Sequence, residues 1–188
     1  LDFGLTEKTG VDTTGEASGF VNSEIKYSTL ALACYAFGQN FNVTPIALLA
    51  AQCACVNGGY LMKPYVVKSI VNGDGEAVVS NSPTVVRQVV SEQTSATVRQ
   101  ILEQVVGDPV DGTGKNAYVA GYRIGGKTGT ADKTGTKDLV VSFMCFAPAD
   151  DPQYIMLLTM DTPSRTTGTA VFGGTMVAPV ASQIMSEI

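Results

Sequence analysis

The sequence predicts an α/β (α+β) fold in which an antiparallel meander packs against helices. Three strand-like runs in the last third, reaching Gly125–Ala131, Leu139–Phe146 and Tyr154–Met160, are separated only by short polar turns closed by Asp or Pro. Apolar residues recur at helical spacing in Ser91–Val106 and again in Val177–Ile188. A helix laid over a meander gives two layers around one core.

Leu1–Gly19 is rich in Gly, Thr and Asp and reads as a loop. Tyr27–Phe37 is apolar enough for a short helix that stops at Gly38. Thr44 as N-cap with Pro45 in the first helical position opens a second helix. Ile46, Leu48, Leu49, Ala50, Ala51, Ala54 and Cys55 make it apolar nearly all round, which predicts a buried core helix ended by Asn57-Gly58-Gly59. Between residues 60 and 90, Tyr65–Val71, the turn Asn72-Gly73-Asp74-Gly75 and Ala77–Val79 form a hairpin signal, read as a surface excursion. Ser91 or Thr94 caps the next helix, with Val98, Ile101, Leu102 and Val105 on its inner face. Tyr118–Ile124, rich in β-branched and aromatic residues, is expected to lead as a strand into Gly125–Ala131. The last helix places Val177, Val180, Ala181, Ile184 and Met185 on one side.

Composition narrows the function. With 188 residues and 45% hydrophobic content the chain can bury a core, as one domain or part of a larger one. A net charge of −5 and the lack of a basic stripe argue against nucleic acid as a partner. No apolar run approaches the ~18 residues of a membrane span. The absence of His excludes Ser-His-Asp and Cys-His catalysis and His-ligated metal sites within the chain. Cys34, Cys53, Cys55 and Cys145 offer no CxxC pair and read as small buried hydrophobes, so neither a metal nor a cofactor is expected. The opening Leu1-Asp2-Phe3-Gly4 carries no initiator Met or signal segment and reads as a cut inside a longer protein.

The chemistry is expected in Gly125-Gly126-Lys127-Thr128-Gly129-Thr130-Ala131. Alternation along a strand puts Thr128 and Thr130 on one face and Lys127 on the other. Gly126 and Gly129 are expected to remove side-chain bulk so that a ligand backbone can approach. Two hydroxyls, an ammonium and nearby backbone N–H groups suit a carboxylate or a developing oxyanion. Lys-Thr-Gly occurs three times, however, at 8–10, 127–129 and 133–135. The first and third copies sit in polar loop sequence and read as turns. Only the middle copy has strand-like sequence before it and the double glycine.

Taken together, Phe3-Gly4-Leu5, Lys8-Thr9-Gly10, Thr14–Gly19, Phe37-Gly38-Gln39, Val43–Ile46, Asn57-Gly58-Gly59, Lys63-Pro64, Gly125–Ala131, Ser142-Phe143 and Ala147-Pro148 come in an order that resembles the C-terminal part of the transpeptidase domain of class B penicillin-binding proteins, across essentially all of 1–188. The resemblance implies a partial penicillin-binding protein and serine β-lactamase-like fold. It also implies acyl transfer at the D-Ala-D-Ala end of a peptidoglycan stem peptide, with β-lactams as mimics, on the extracytoplasmic face of the cell membrane. Carried over, Lys127 supplies positive charge, Thr128 and Thr130 bind the substrate carboxylate, Gly129 lets substrate lie along the strand, and the Thr130 backbone N–H is an oxyanion donor.

In this family a Ser-x-x-Lys nucleophile motif and a Ser-x-Asn motif precede Lys-Thr-Gly. Ser23-Glu24-Ile25-Lys26 has the first spacing, but no Ser-x-Asn occurs and the position follows loops that come after both motifs in the family. Ser23 is therefore set aside as nucleophile and read as a helix start with Asn22 or Ser23 as cap. Asn40, where the family usually has Gly, is a smaller departure. The expectation is one wall of an active site, inactive alone, with self-association through surface left open by truncation. Two rivals remain: a non-catalytic β-lactam-recognising module, and an α/β domain in which Lys127 merely ends a strand.

Overall fold

The computed structural model describes residues 2–21, 28–39, 41–166 and 168–188. Ser23, the rest of Ser-x-x-Lys, Tyr27 and Asn40 lie outside the described residues. The chain divides into two compact units: Leu1–Ala54 with Gly59–Ser91, and Cys55–Gly58 with Glu92–Ile188.

In the first unit, β1 (Phe20–Val21) pairs antiparallel with β2 (Phe41–Asn42), and between them lies helix α1 (Thr29–Ala36). Ser28 caps α1 by accepting from the Ala31 N–H at 3.1 Å. No residue of α1 is buried, and Leu30 and Phe37 are 74% and 69% exposed. Helix α2 (Pro45–Val56) begins as expected, with the Thr44 hydroxyl accepting from the Ala47 N–H at 3.3 Å. Only Ala47, Ala51, Ala54 and Val56 are buried; its larger side chains are half-buried.

The 60–90 segment is richer than a single hairpin. Strand β3 (Tyr60–Lys63), β4 (Ser69–Val71), β5 (Ala77–Ser80) and β6 (Thr84–Gln88) form two antiparallel pairs, β4–β5 nested inside β3–β6. The predicted strand at Tyr65–Val71 shrinks to its last three residues. Asp12 explains part of this, because its carboxylate accepts the Val66 and Val67 N–H groups at 2.7 and 2.9 Å. The turn forms as expected: Asn72 Oδ1 accepts from the N–H groups of Asp74 and Glu76 at 3.0 and 2.9 Å.

Glu16 holds the first Lys-Thr-Gly as irregular loop, without the turn expected there. Its carboxylate accepts from Thr9 N–H and Oγ1, both at 2.6 Å, and from Gly10 N–H at 3.0 Å. These bonds, the Thr9 hydroxyl first, hold the Glu16 pKa below its ordinary value. The loop's stabilisation is therefore complete above the usual glutamate range and is lost as pH falls through the depressed value. The protection factors of the Thr9 and Gly10 amides, observed rates corrected for the intrinsic pH dependence of exchange, are expected to fall on acidification, and at neutral pH in Glu16→Gln. Unchanged protection in that variant would contradict the clamp.

The second unit opens with helix α3 (Glu92–Gly107). Its Ser95, fully buried, accepts from Gly58 N–H at 3.0 Å and donates to the Cys55 carbonyl at 2.9 Å, while Arg99 donates to Val56 O at 3.0 Å. Carbonyls left over at a helix end are thus satisfied. The expected inner face is corrected at Ile101, which is 60% exposed; Val106 is the buried apolar residue of this helix. The expected strand at Tyr118–Ile124 is absent. Tyr122 N–H donates to Val119 O across a turn with Gly121 at φ 86°, and Arg123 is held by Glu103 at 2.7 Å and Asp150 at 2.7 Å.

Strands β7 (Gly125–Asp132), β8 (Leu139–Ala147) and β9 (Tyr154–Asp161) form the antiparallel meander in the order β7-β8-β9. Lys133 N–H bonds to Asp138 O at 2.9 Å, closing the turn that contains the third Lys-Thr-Gly. One face of β8 (Val141, Phe143, Cys145, Ala147) packs with Val177, Ala181 and Met185 of the chain's end, where a one-turn π-helix (Gly173–Val177) leads into α4 (Ala178–Met185). The other face (Met144, Phe146) packs with Val56, Ala149 and the half-buried Leu102. The meander is covered on both sides, one layer more than predicted. Of the cysteines only Cys145 is buried, its thiol pushed up to about 12 by burial; Cys34, Cys53 and Cys55 are half-buried, which corrects the reading of all as core residues.

Candidate active site

Strand β7 carries the candidate residues, and its register with β8 fixes how each one points. Thr128 lies opposite Phe143 and Thr130 opposite Val141, on the pleat face that also meets α4. Lys127 lies opposite Met144, on the other face, and is exposed. Thr128 and Thr130 line an open cleft of about 420 Å³, whose other walls are Val110–Thr113, Lys115, Asn116 and Phe172–Thr175. Thr128 Oγ1 is 3.5 Å from Thr113 Oγ1, and Thr130 Oγ1 accepts from Gly173 N–H at 3.4 Å.

The backbone polarity of β7 follows from its neighbours. A side-chain carbon added at Gly173 would lie 2.1 Å from Ser142 O, 2.7 Å from Gly129 O and 3.1 Å from Gly129 N, so these three atoms are clustered. Ser142 is the β8 partner of Gly129, and Gly129 therefore turns its amide and carbonyl toward β8. By alternation in an antiparallel ladder, Thr128 and Thr130 turn theirs to the other edge of β7, which pairs with no strand among the described residues. The Lys127 side chain confirms the polarity: it curls round to that edge and donates from Nζ to Thr128 O at 2.8 Å. An ammonium and the Thr130 amide thus share one edge although the Lys127 and Thr130 side chains leave opposite faces.

The glycines have a different cause from the one expected. At Gly126 an added carbon would meet the Phe143 ring at 2.6 Å and Met144 O at 2.8 Å; at Gly129 it would meet Ser142 Oγ at 2.4 Å. Both vacant positions are filled by the protein's own core and strand partner, so glycine there is demanded by packing and does not clear bulk for a ligand. Sequence reasoning also missed the Gly112–Asn116 wall and the Gly173-Gly174 turn. Their signal, paired glycines flanked by Thr and Asn, is common loop chemistry.

The profile of the penicillin binding protein transpeptidase domain matches residues 1–186. The chain belongs to the penicillin-binding protein transpeptidase family. Stage V sporulation protein D of Bacillus subtilis is 43% identical over 99% of this chain, and penicillin-binding protein PbpB of Mycolicibacterium smegmatis is 33% identical over 98%. This transpeptidase-family chain spans 29% and 30% of the length of those relatives. Among solved structures, penicillin-binding protein 3 of Mycobacterium tuberculosis in complex with aztreonam superposes with a TM-score of 0.84 at 32% identity, covering 99% of this chain and 43% of that one. The transpeptidase domain of Burkholderia pseudomallei penicillin-binding protein 3 gives 0.80 at 32% identity, covering 99% and 54%. The mixed fold with its antiparallel meander thus matches part of the penicillin-binding transpeptidase fold. Among the described residues no helix is long and apolar enough to cross a membrane, and no His, Cys, Asp or Glu cluster could hold a metal ion.

Proposed function

We propose that this chain forms the Lys-Thr-Gly wall of a serine D,D-transpeptidase that cross-links peptidoglycan by acyl transfer at D-Ala-D-Ala and is acylated by β-lactams. The supporting observation is the edge of β7, where the Thr130 amide and the Lys127 ammonium lie beside a cleft lined by the Thr128 and Thr130 hydroxyls. In this reading the hydroxyls hold the substrate's terminal carboxylate. The Thr130 N–H meets the carbonyl oxygen as it becomes an oxyanion, a contribution of about 3 kcal/mol. The reaction takes place on the outer side of the cell membrane, where stem peptides are available. The exposed apolar side chains of α1 support self-association of the isolated chain.

The nucleophile is a serine outside these 188 residues, since no Ser-x-Asn partner occurs in them. A complete transpeptidase polypeptide carrying this sequence is expected to bind fluorescent penicillin covalently, and the isolated chain is expected to remain unlabelled on denaturing gels. Labelling of the isolated chain at Ser23 would overturn the assignment of the nucleophile. Reversible retention by the complete polypeptide with no covalent label would favour a binding module.

A further inference from the structure

We infer that Asn116 is a positioning residue for carboxylate recognition, acting through the Gly173-Gly174 turn on the Thr130 hydroxyl. The inference rests on the reading of Thr128 and Thr130 as the carboxylate-binding pair. Asn116 belongs to a short 3-10 turn, Lys115–Ala117, and its Nδ2 donates to Gly174 O at 2.8 Å across the cleft floor. That bond joins two segments 58 residues apart in sequence. The next residue back, Gly173, donates its N–H to Thr130 Oγ1. An N–H aimed at the hydroxyl oxygen makes Thr130 an acceptor on the turn side, so its proton is directed elsewhere and the rotor is no longer arbitrary.

The turn has little freedom to do anything else. A side-chain carbon at Gly174 would lie 2.2 Å from Thr113 O and 3.5 Å from Thr128 Cγ2; at Gly173 it would meet Ser142 O at 2.1 Å. The two glycines therefore lie with their backbone directly on the strand and on the loop before the 3-10 turn. Thr175 closes the turn from the other side, its hydroxyl donating to Ala170 O and lying 3.1 Å from Phe172 O. Asn116 supplies the side-chain bond that holds Gly174 against the floor. Without it the turn loses a tether on the Asn116 side, and the Gly173 N–H drifts from Thr130. The Gly173-to-Thr130 distance of 3.4 Å is already long for such a bond, so small displacements break it.

The test compares a ligand that has the carboxylate with one that lacks its charge. Acylation rate constants of the complete polypeptide are measured with benzylpenicillin and with its methyl ester, and thermal midpoints record folding. In Asn116→Ala and in Asn116→Leu, which keeps the branched side-chain shape and adds no charge but removes the donor, the acid-to-ester rate ratio is expected to fall about tenfold, the scale of one hydrogen bond to a charged group. A purely structural contact would lower both rates together and leave the ratio unchanged, and that result overturns the inference. Failure of both variants to fold overturns it equally. Thr128→Val and Thr130→Val separate the two levels of argument. If they lower the ratio and the Asn116 variants do not, only this inference falls. If they leave it unchanged, the reading of the threonines falls, and this inference with it.

Discussion

Phe143→Ala is expected to destabilise the second unit by about 3–5 kcal/mol, the usual scale for removing a buried aromatic ring. Phe143 is fully buried at the centre of β8, and its ring fills the space that side chains at Gly126 and Gly114 would occupy, at 2.6 and 2.8 Å. Truncation opens a void under β7 and under the loop leading to the 3-10 turn at once. The Gly126 backbone is fixed by the β7–β8 ladder and Gly114 by its N–H bond to Val105 O at 2.9 Å and the Ala117 N–H bond to its carbonyl at 2.8 Å, so neither collapses far into the void, which places the cost toward the upper end. Against a domain stability of about 5–15 kcal/mol, such a loss removes much of the margin. Urea denaturation of the isolated chain checks it, with Ile101→Ala as the comparison. Ile101 is 60% exposed on α3, so its truncation is expected to cost no more than about 0.5 kcal/mol. Equal losses at the two positions would mean that the sides of α3 and β8 are misassigned.

That contrast also marks where the sequence was legible. Strands β8 and β9, the start of α2 and the Asn72 turn follow from local chemistry: β-branched runs, a Thr-Pro start, an Asx turn that ties its own backbone. Ile101 was misplaced because helical periodicity fixes which residues share a face and leaves the width of the buried stripe open. The buried face of α3 runs through Ser95 and Val106, and Ser95 is buried because it satisfies the end of α2, a partnership 40 residues away in sequence. Pairing of β3 with β6 was invisible for a similar reason, since each run is short and its partner lies beyond an intervening hairpin. The second covering layer did leave a trace. Leu139–Ala147 is apolar almost continuously where a one-sided strand would alternate, the pattern of a strand buried on both faces. At the site, alternation gave the shared face of Thr128 and Thr130 directly. It could not give the reason for Gly126 and Gly129, which depends on which β8 side chains lie opposite.

Lys127→Ala in the complete polypeptide is expected to lower the rate of acylation by fluorescent penicillin by about 100-fold or more, the range for losing a group that assists proton transfer or holds a reacting anion. Lys127 leaves β7 on the face opposite the threonines, which by itself would argue against a shared role. Its Nζ nevertheless lies 2.8 Å from Thr128 O, and that carbonyl belongs to the same edge as the Thr130 amide. The charge is therefore delivered at the edge, where a ligand laid along β7 would carry its reacting carbonyl. The contact with Thr128 O is to a neutral acceptor at an exposed position, so an arriving anion or hydroxyl competes for the ammonium at small cost. Lys127→Arg keeps the charge but replaces a compact, rotatable ammonium by a broad planar fork, and is expected to recover only part of the rate. The isolated chain should unfold at the same urea concentration with and without the Lys127→Ala change, because the side chain is exposed and its bond among the described residues is to its own strand. A rate unchanged by Lys127→Ala would leave this stretch as the end of a strand and nothing more.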